Sequence, residues 1–362
     1  MHIYVHIPFC ARKCPYCGFY SITGEKSIPA YFEALKKEIF EQPVICSAEA
    51  EGDAKTIYFG GGTPSFADAS CVCDTLRSIR EVFSINEGEF TVEVNPNSFN
   101  EDKAERYREA GFNRISIGVQ SLHDDVLSTL GRLHDREGAL KAVDAAKSAG
   151  FTNISCDLML GVPGQREEDL YEDAQILIDA GVKHISMYSL MIEEGTPFEK
   201  RYGGKLDEFV DEDLERRMYH GLRDLLSRKG LFPYEISNCA VRGFESLHNL
   251  AYWKGREYYA FGAGAHGYLD SVRFAHPEDV AEYINDPMKR ITEEVLDEDA
   301  KLREKCMLAL RTSEGMDNDL ARKFQDAVDK NEKLGYLMKT PAGYTLTRKG
   351  LDFSNLVFMD FL

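Results

Sequence analysis

Three cysteines crowd into positions 10 to 17, Cys10-Ala-Arg-Lys-Cys14-Pro-Tyr-Cys17, a C-x3-C-x2-C spacing. Thiolates spaced this way on one tight loop can converge on three corners of a cubane iron-sulfur cluster, and the fourth iron is then left without a protein ligand. A full set of four cysteines makes an electron carrier. An incomplete set leaves an open coordination position, the mark of a metal site that binds substrate. The amino and carboxylate groups of a methionyl moiety can fill that position. The competing readings are a zinc site, with His6 or nothing as its fourth ligand, and cysteines that are merely buried. Zinc pairs usually recur as a second C-x2-C, which this sequence lacks.

Gly60-Gly61-Gly62-Thr63-Pro64 follows a strand-like run. Glycines there let backbone N–H groups approach an anion or carboxylate before the next helix begins. A bare tight turn is the alternative, and the cysteine loop on the same face is what turns the motif into a cofactor cradle. Glu93, Gln120, Arg132 and Asp157 are of the right types to bond ribose hydroxyls and the charged ends of a nucleoside, with Tyr4 and Tyr16 packing near the cluster. Each of them alone reads more readily as an ordinary polar residue at a strand end.

Residues so far apart need a scaffold that gathers them. Short β-branched runs at 2–7, 56–59, 90–94, 114–119, 153–160 and 184–190 predict strands, and amphipathic stretches at 30–40, 68–83, 100–110, 136–149, 167–180 and 207–229 predict helices between them. Gly111, Gly150, Gly181 and Gly230 stand where left-handed caps would close four of those helices. A sixfold βα alternation with right-handed crossovers predicts a parallel sheet curling toward a partial barrel, with its functional groups at the carboxyl ends of the strands. The period breaks after about Pro233, where an acidic, loop-rich region leads to a helix near 300–311 and a hairpin over 336–347. The expected organisation is a core over 1–235, a connecting region over 236–298 and a small helical, winged-helix-like domain over 299–362.

The chain has 362 residues, 43% of them apolar, and a formal net charge of -18. Such a charge argues against holding nucleic acid on a broadly basic surface. No apolar run is long enough to span a bilayer and no signal-peptide region precedes the first strand, so the cytoplasm is the expected compartment. Nine cysteines, an odd number with three of them clustered, suit reduced thiolates on metal better than a disulfide framework.

Together, Tyr4-Val-His-Ile-Pro-Phe-Cys10, the cysteine loop, GGGTPS at 60–65, Glu93-Val-Asn-Pro96, Ile117-Gly-Val-Gln-Ser121 and Asp157 leading to Gly161-Val-Pro-Gly-Gln165 resemble the coproporphyrinogen-oxidase-like branch of the radical-SAM family. The likeness continues through Tyr234-Glu-Ile-Ser237, His248-Asn-Leu-Ala-Tyr-Trp253, Gly262-Ala-Gly-Ala-His-Gly267 and Leu346-Thr-Arg-Lys-Gly350, so it covers nearly the whole chain. The resemblance implies a 4Fe-4S cluster on Cys10, Cys14 and Cys17, and S-adenosylmethionine (SAM) held by Tyr4, Gly61, Gly62, Thr63, Glu93, Gln120, Arg132 and Asp157.

The H-N-x-x-Y-W run at 248–253 is similar to that of the heme chaperones within this branch, where it is associated with heme binding, and the likeness implies His248 as an axial ligand. A helix-capping or core histidine is the plain alternative, and Trp253 would likewise read as core. The anaerobic coproporphyrinogen III oxidases of the branch carry a fourth cysteine two residues after the last ligand, where this chain has Phe19. That departure favours a chaperone passing heme to an acceptor heme protein, such as a respiratory enzyme at the membrane, over an oxidase that decarboxylates propionate side chains. A methyltransferase of the same branch would need a second SAM site that the sequence does not reveal. Monomer and dimer stay open, as does the role of His266, either a second heme contact or a turn residue.

Overall fold

The structure, a computed structural model, describes residues 1–43, 55–203, 205 and 211–362. Its centre is a run of parallel neighbours, β1 (His2–Ile7), β2 (Thr56–Gly61), β3 (Glu89–Val94), β4 (Arg114–Gln120), β5 (Asn153–Leu160) and β6 (His184–Ser189). Helices Ile28–Glu41, Ala69–Val82, Glu101–Ala110, Arg136–Ser148 and Glu167–Asp179 follow successive strands, and Glu212–Arg228 follows the sixth. This is the expected partial (βα)6 barrel. The expected start of the last helix, Asp207, lies outside the described residues. Gly111, Gly150, Gly181 and Gly230 all have positive φ, as the left-handed caps require.

Alternation along the strands divides the barrel into two faces. Ile3, Val5 and Ile7 are fully buried, with Ile57, Phe59, Val92, Ile115, Ile117, Ile154 and Leu158 beside them in the main core. The other face carries Tyr4, Tyr58, Glu93, Ser116, Asp157 and Ser186 at the matching alternate positions. Parallel strands covered on both sides usually read as continuous apolar runs. A lumen lined by hydroxyls and carboxylates is what a polar ligand site needs.

The region expected to be loop-rich instead extends the sheet on both sides. It supplies β7 (Phe232–Pro233), β8 (Asn238–Ala240), β9 (Tyr258–Phe261), β10 (His266–Leu269), β11 (Val272–Ala275) and β12 (Ile291–Val295). The twelve strands run β12-β11-β10-β9-β1-β2-β3-β4-β5-β6-β8-β7. β9 lies parallel to β1, and β10 to β12 return as an antiparallel meander. These strands are too short to display a period, and β12 is exposed at every position, so no apolar face marks it.

Helix Leu247–Trp253, capped by the Ser246 hydroxyl, closes the amino end of the barrel. His248 bonds Thr56 Oγ1, and its backbone N–H bonds Glu89 Oε1, both at the first residues of their strands. A second core, with Cys306, Leu310, Met316, Leu320, Val328, Leu337, Val357 and Phe361, holds the C-terminal unit together. There, helices Glu298–Leu310, Asn318–Lys323 and Gln325–Lys333 pack with a three-stranded antiparallel sheet whose wing is Leu337–Lys339 paired with Gly343–Leu346. Among the described residues no helix is long and apolar enough to cross a membrane.

Candidate functional site

The cysteine loop rises from the carboxyl end of β1. Cys10 Sγ stands 3.4 Å from Thr63 Oγ1, and the Cys17 N–H bonds the Cys14 carbonyl at 3.1 Å to close the turn. The glycine run of β2 is stitched to the same end by bonds from the Gly62 N–H to the Ile7 carbonyl and from the Thr63 N–H to the Phe9 carbonyl, each 2.9 Å. A Cβ on Gly62 would lie 2.9 Å from Ile7 O and Phe9 N, and Gly61 adopts φ +109°, so only glycine fits this approach. Burial pushes the Cys10 and Cys17 thiols up; Thr63 and Ser21 oppose it at Cys10, and the Phe19 backbone opposes it at Cys17. Among the described residues no three His, Cys, Asp or Glu groups are yet drawn to one metal-sized point.

Arg132 ties the loop to the barrel. Its guanidinium donates to the Gly118 carbonyl at 2.7 Å, to Tyr16 Oη at 3.4 Å and to Cys14 Sγ at 3.6 Å. Its Nε is buried with no partner. Gln120 ends β4 at φ +68° beside an irregularity in the strand register, and an ideal Cβ on Gly118 would lie 3.3 Å from both its Nε2 and Arg132 Nη2. A cavity runs between Cys14, Thr63, Asn95, Ser98 and Arg132. The structure thus brings Cys10, Cys14, Cys17, Tyr16, Gly61, Gly62, Thr63, Gln120 and Arg132 to one end of the barrel.

Glu93 and Asp157 occupy the lumen below. Glu93 accepts a 2.6 Å bond from Tyr58 Oη, and burial pushes its carboxyl up to about 7, with the Tyr58 bond opposing and the charge of Asp157 adding to the rise. Burial likewise pushes Asp157 up to about 6, against bonds from Ser186 and Ser116. Two buried carboxyls held near neutrality make the lumen a candidate functional site. Tyr4 Oη lies 3.0 Å from His6 Nδ1, and His6 Nε2 lies 3.0 Å from the Tyr20 carbonyl. A carbonyl only accepts, so Nε2 carries the proton and Tyr4 donates to Nδ1. Both nitrogens of His6 are therefore taken.

His248 lies at the other end of the barrel, where it meets this group from below, its ring 6.5 Å from that of Tyr4. It is 1% exposed, with Nδ1 2.7 Å from Thr56 Oγ1 and Nε2 2.8 Å from Tyr252 Oη, and its ring stacks on Tyr58 at 5.0 Å. Burial drives its pKa well below the usual histidine range.

A model of the radical SAM superfamily matches residues 4–177. Across 99% of the chain and 96% of the relative, the sequence is 36% identical to the heme chaperone HemW of Lactococcus lactis subsp. lactis. The chain belongs to the HemW family of radical SAM proteins. Its HemW relative in Bacillus subtilis is 33% identical over 99% of the chain and 98% of that protein. The solved coproporphyrinogen III oxidase HemN of Escherichia coli shares the fold, with a TM-score of 0.82 at 20% identity over 99% of the chain and 89% of HemN.

Within this HemW-family fold, Tyr58 is the residue that sequence reasoning missed. Its place two positions before the glycine run, on the lumen side of β2, was the available signal. Tyr58→Phe leaves a buried carboxylate short of a donor. It should cost about 1–3 kcal/mol at pH 8 and much less at pH 5, where Glu93 is protonated. Urea unfolding at the two pH values measures the difference.

Proposed function

We propose that the chain is a heme chaperone that binds heme and transfers it to an acceptor heme protein, while carrying a SAM-ligated 4Fe-4S cluster. The observation that carries this reading is the likeness to heme chaperones along nearly the full chain, joined to Phe19 at the place of the oxidases' fourth cysteine. Phe19 is 72% exposed beside the loop.

The residues present fit both cofactors. The eight described cysteines are all free, three of them on one loop, as a reducing cytoplasm allows. The partnerless Arg132 Nε and the Gly62 approach suit an anionic or carboxylate-bearing ligand next to those thiols. Cys10, Cys14 and Cys17 would hold three irons, and the bound cluster and SAM supply one-electron chemistry at the sulfonium. Gly61, Gly62 and Thr63 present backbone to the methionyl end, and Glu93 offers a carboxylate to its ammonium. Gln120, Arg132 and Asp157 supply polar contacts, while Tyr4 and Tyr16 pack at the edges.

The test is anaerobic reconstitution with iron and sulfide, followed by titration with SAM and with hemin. Expected are cluster absorbance that shifts on adding SAM and stoichiometric hemin binding, with transfer of heme to an apo-acceptor. Protein that takes up zinc or no metal would overturn the cluster assignment. Conversion of coproporphyrinogen III under reductant and SAM would replace the chaperone reading with the oxidase one.

A further inference from the structure

A histidine that ligates heme iron needs a nitrogen lone pair that can be reached. All nine histidines lie among the described residues, and they divide sharply. His2, His6, His134, His184, His220, His248 and His276 are buried, and His123 is largely covered beside Asp169 and Asp173. His266 alone is exposed, its side chain 54% accessible.

Its geometry is that of a prepared ligand. Nδ1 lies 3.0 Å from Glu293 Oε2. A carboxylate only accepts, so Nδ1 carries the proton, and in the neutral ring Nε2 then keeps the lone pair, directed away from Glu293. Metal-binding histidines usually have just this arrangement, with a carboxylate on the second nitrogen fixing the tautomer and making the free one more basic. His248 is in the opposite condition: it is buried, and coordination through either nitrogen would first break that nitrogen's bond, to Thr56 or to Tyr252.

The place also fits. Tyr258 pairs with Tyr268, and the same register puts Ala260 opposite both Tyr4 and His266. His266 in turn pairs with Ala275, and Ala275 with Ile291. Residues directly opposite share a face, so Tyr4, His266 and the 51% exposed Ile291 lie in one row on the lumen side of the sheet. His266 stands two strands from Tyr4, about 10 Å along the row. The turn before His266 packs under Tyr20, which a Cβ on Gly264 would meet at 2.7 Å, and Tyr20 adjoins the exposed Phe19 of the cysteine loop. An accessible imidazole thus stands on the lumen side of the sheet, with the exposed Ile291 two strands further on and Tyr20 packed against the turn that leads to it.

We propose that His266 Nε2 is the axial ligand to the iron of bound heme, oriented by Glu293, and that His248 serves the site from the barrel end without touching iron. The proposal rests on the heme-binding reading above and names its ligand. Iron accepts the Nε2 lone pair, and no proton or electron need move.

The full-length reconstituted protein is titrated with hemin, and the reduced complex is examined by resonance Raman for an iron–histidine stretch. His266→Ala should abolish that stretch and weaken hemin binding at least tenfold, with added imidazole restoring it. Glu293→Gln should weaken binding about tenfold, and His248→Ala should keep the stretch. His266 is a surface residue, so unchanged circular dichroism and melting temperature will confirm that its variant folds. An unaltered stretch and affinity in His266→Ala, or loss of the stretch in His248→Ala alone, overturns the ligand assignment and leaves heme binding standing. Failure of the unmodified protein to bind hemin overturns the heme-binding reading itself.

Discussion

Cys14→Ala should empty the cluster site: iron in the anaerobically reconstituted protein falls from about four atoms per chain to background, and the absorbance change on adding SAM disappears. The effect is all-or-none because the loop offers three ligands and no spare. Cys10→Ala and Cys17→Ala should behave alike. Cys73→Ala is the control, since that thiol is 2% exposed inside helix Ala69–Val82, far along the chain from the loop, and its loss should leave iron content unchanged. Iron and sulfide analysis with electron paramagnetic resonance reads both outcomes. Full cluster content in any of the three loop variants would remove that cysteine from the ligand set.

Glu93→Gln should weaken SAM binding and remove the part of its pH dependence centred near 7. The Glu93 carboxyl titrates at about 7, and a ligand ammonium selects its ionised form. Affinity in the unmodified protein should therefore fall roughly tenfold per pH unit below that value and level off above it. The glutamine variant should bind about 10–100-fold more weakly at pH 8, the worth of a charge-assisted hydrogen bond, and should lose the dependence centred near 7, keeping only that of Asp157 near 6. Equilibrium dialysis between pH 5.5 and 8.5 would decide it. Stability carries the matching sign. Between the ordinary carboxyl value of 4.5 and about 7 the folded chain holds a proton that the unfolded chain has released, so stability declines as pH rises through that window. Glu93→Gln should flatten that decline.

How much of this could be read in advance depended on range. The cysteine loop and the glycine run are local patterns whose spacing states their geometry, and the six barrel strands declare themselves by alternation with amphipathic helices. Tyr58 gave no such sign, because its bond to Glu93 links strands whose pairing exists only in the folded sheet. Strands β9 to β12 were illegible for another reason: four or five residues cannot show a period, and the exposed Ile-Thr-Glu-Glu-Val of β12 has no buried side to betray it. His248 and His266 illustrate the same limit together. In sequence the first stands in a conspicuous run and the second in a glycine-rich turn, and only the folded chain shows which imidazole solvent can reach.

The stitching of Gly62 and Thr63 to the end of β1 gives the cysteine loop and the glycine run a common foundation. Damage to one is then transmitted to the other. On the proposed assignment of cluster and SAM, loss of the irons would therefore also loosen the segment that cradles the methionyl end, so the two cofactors would be lost and restored together.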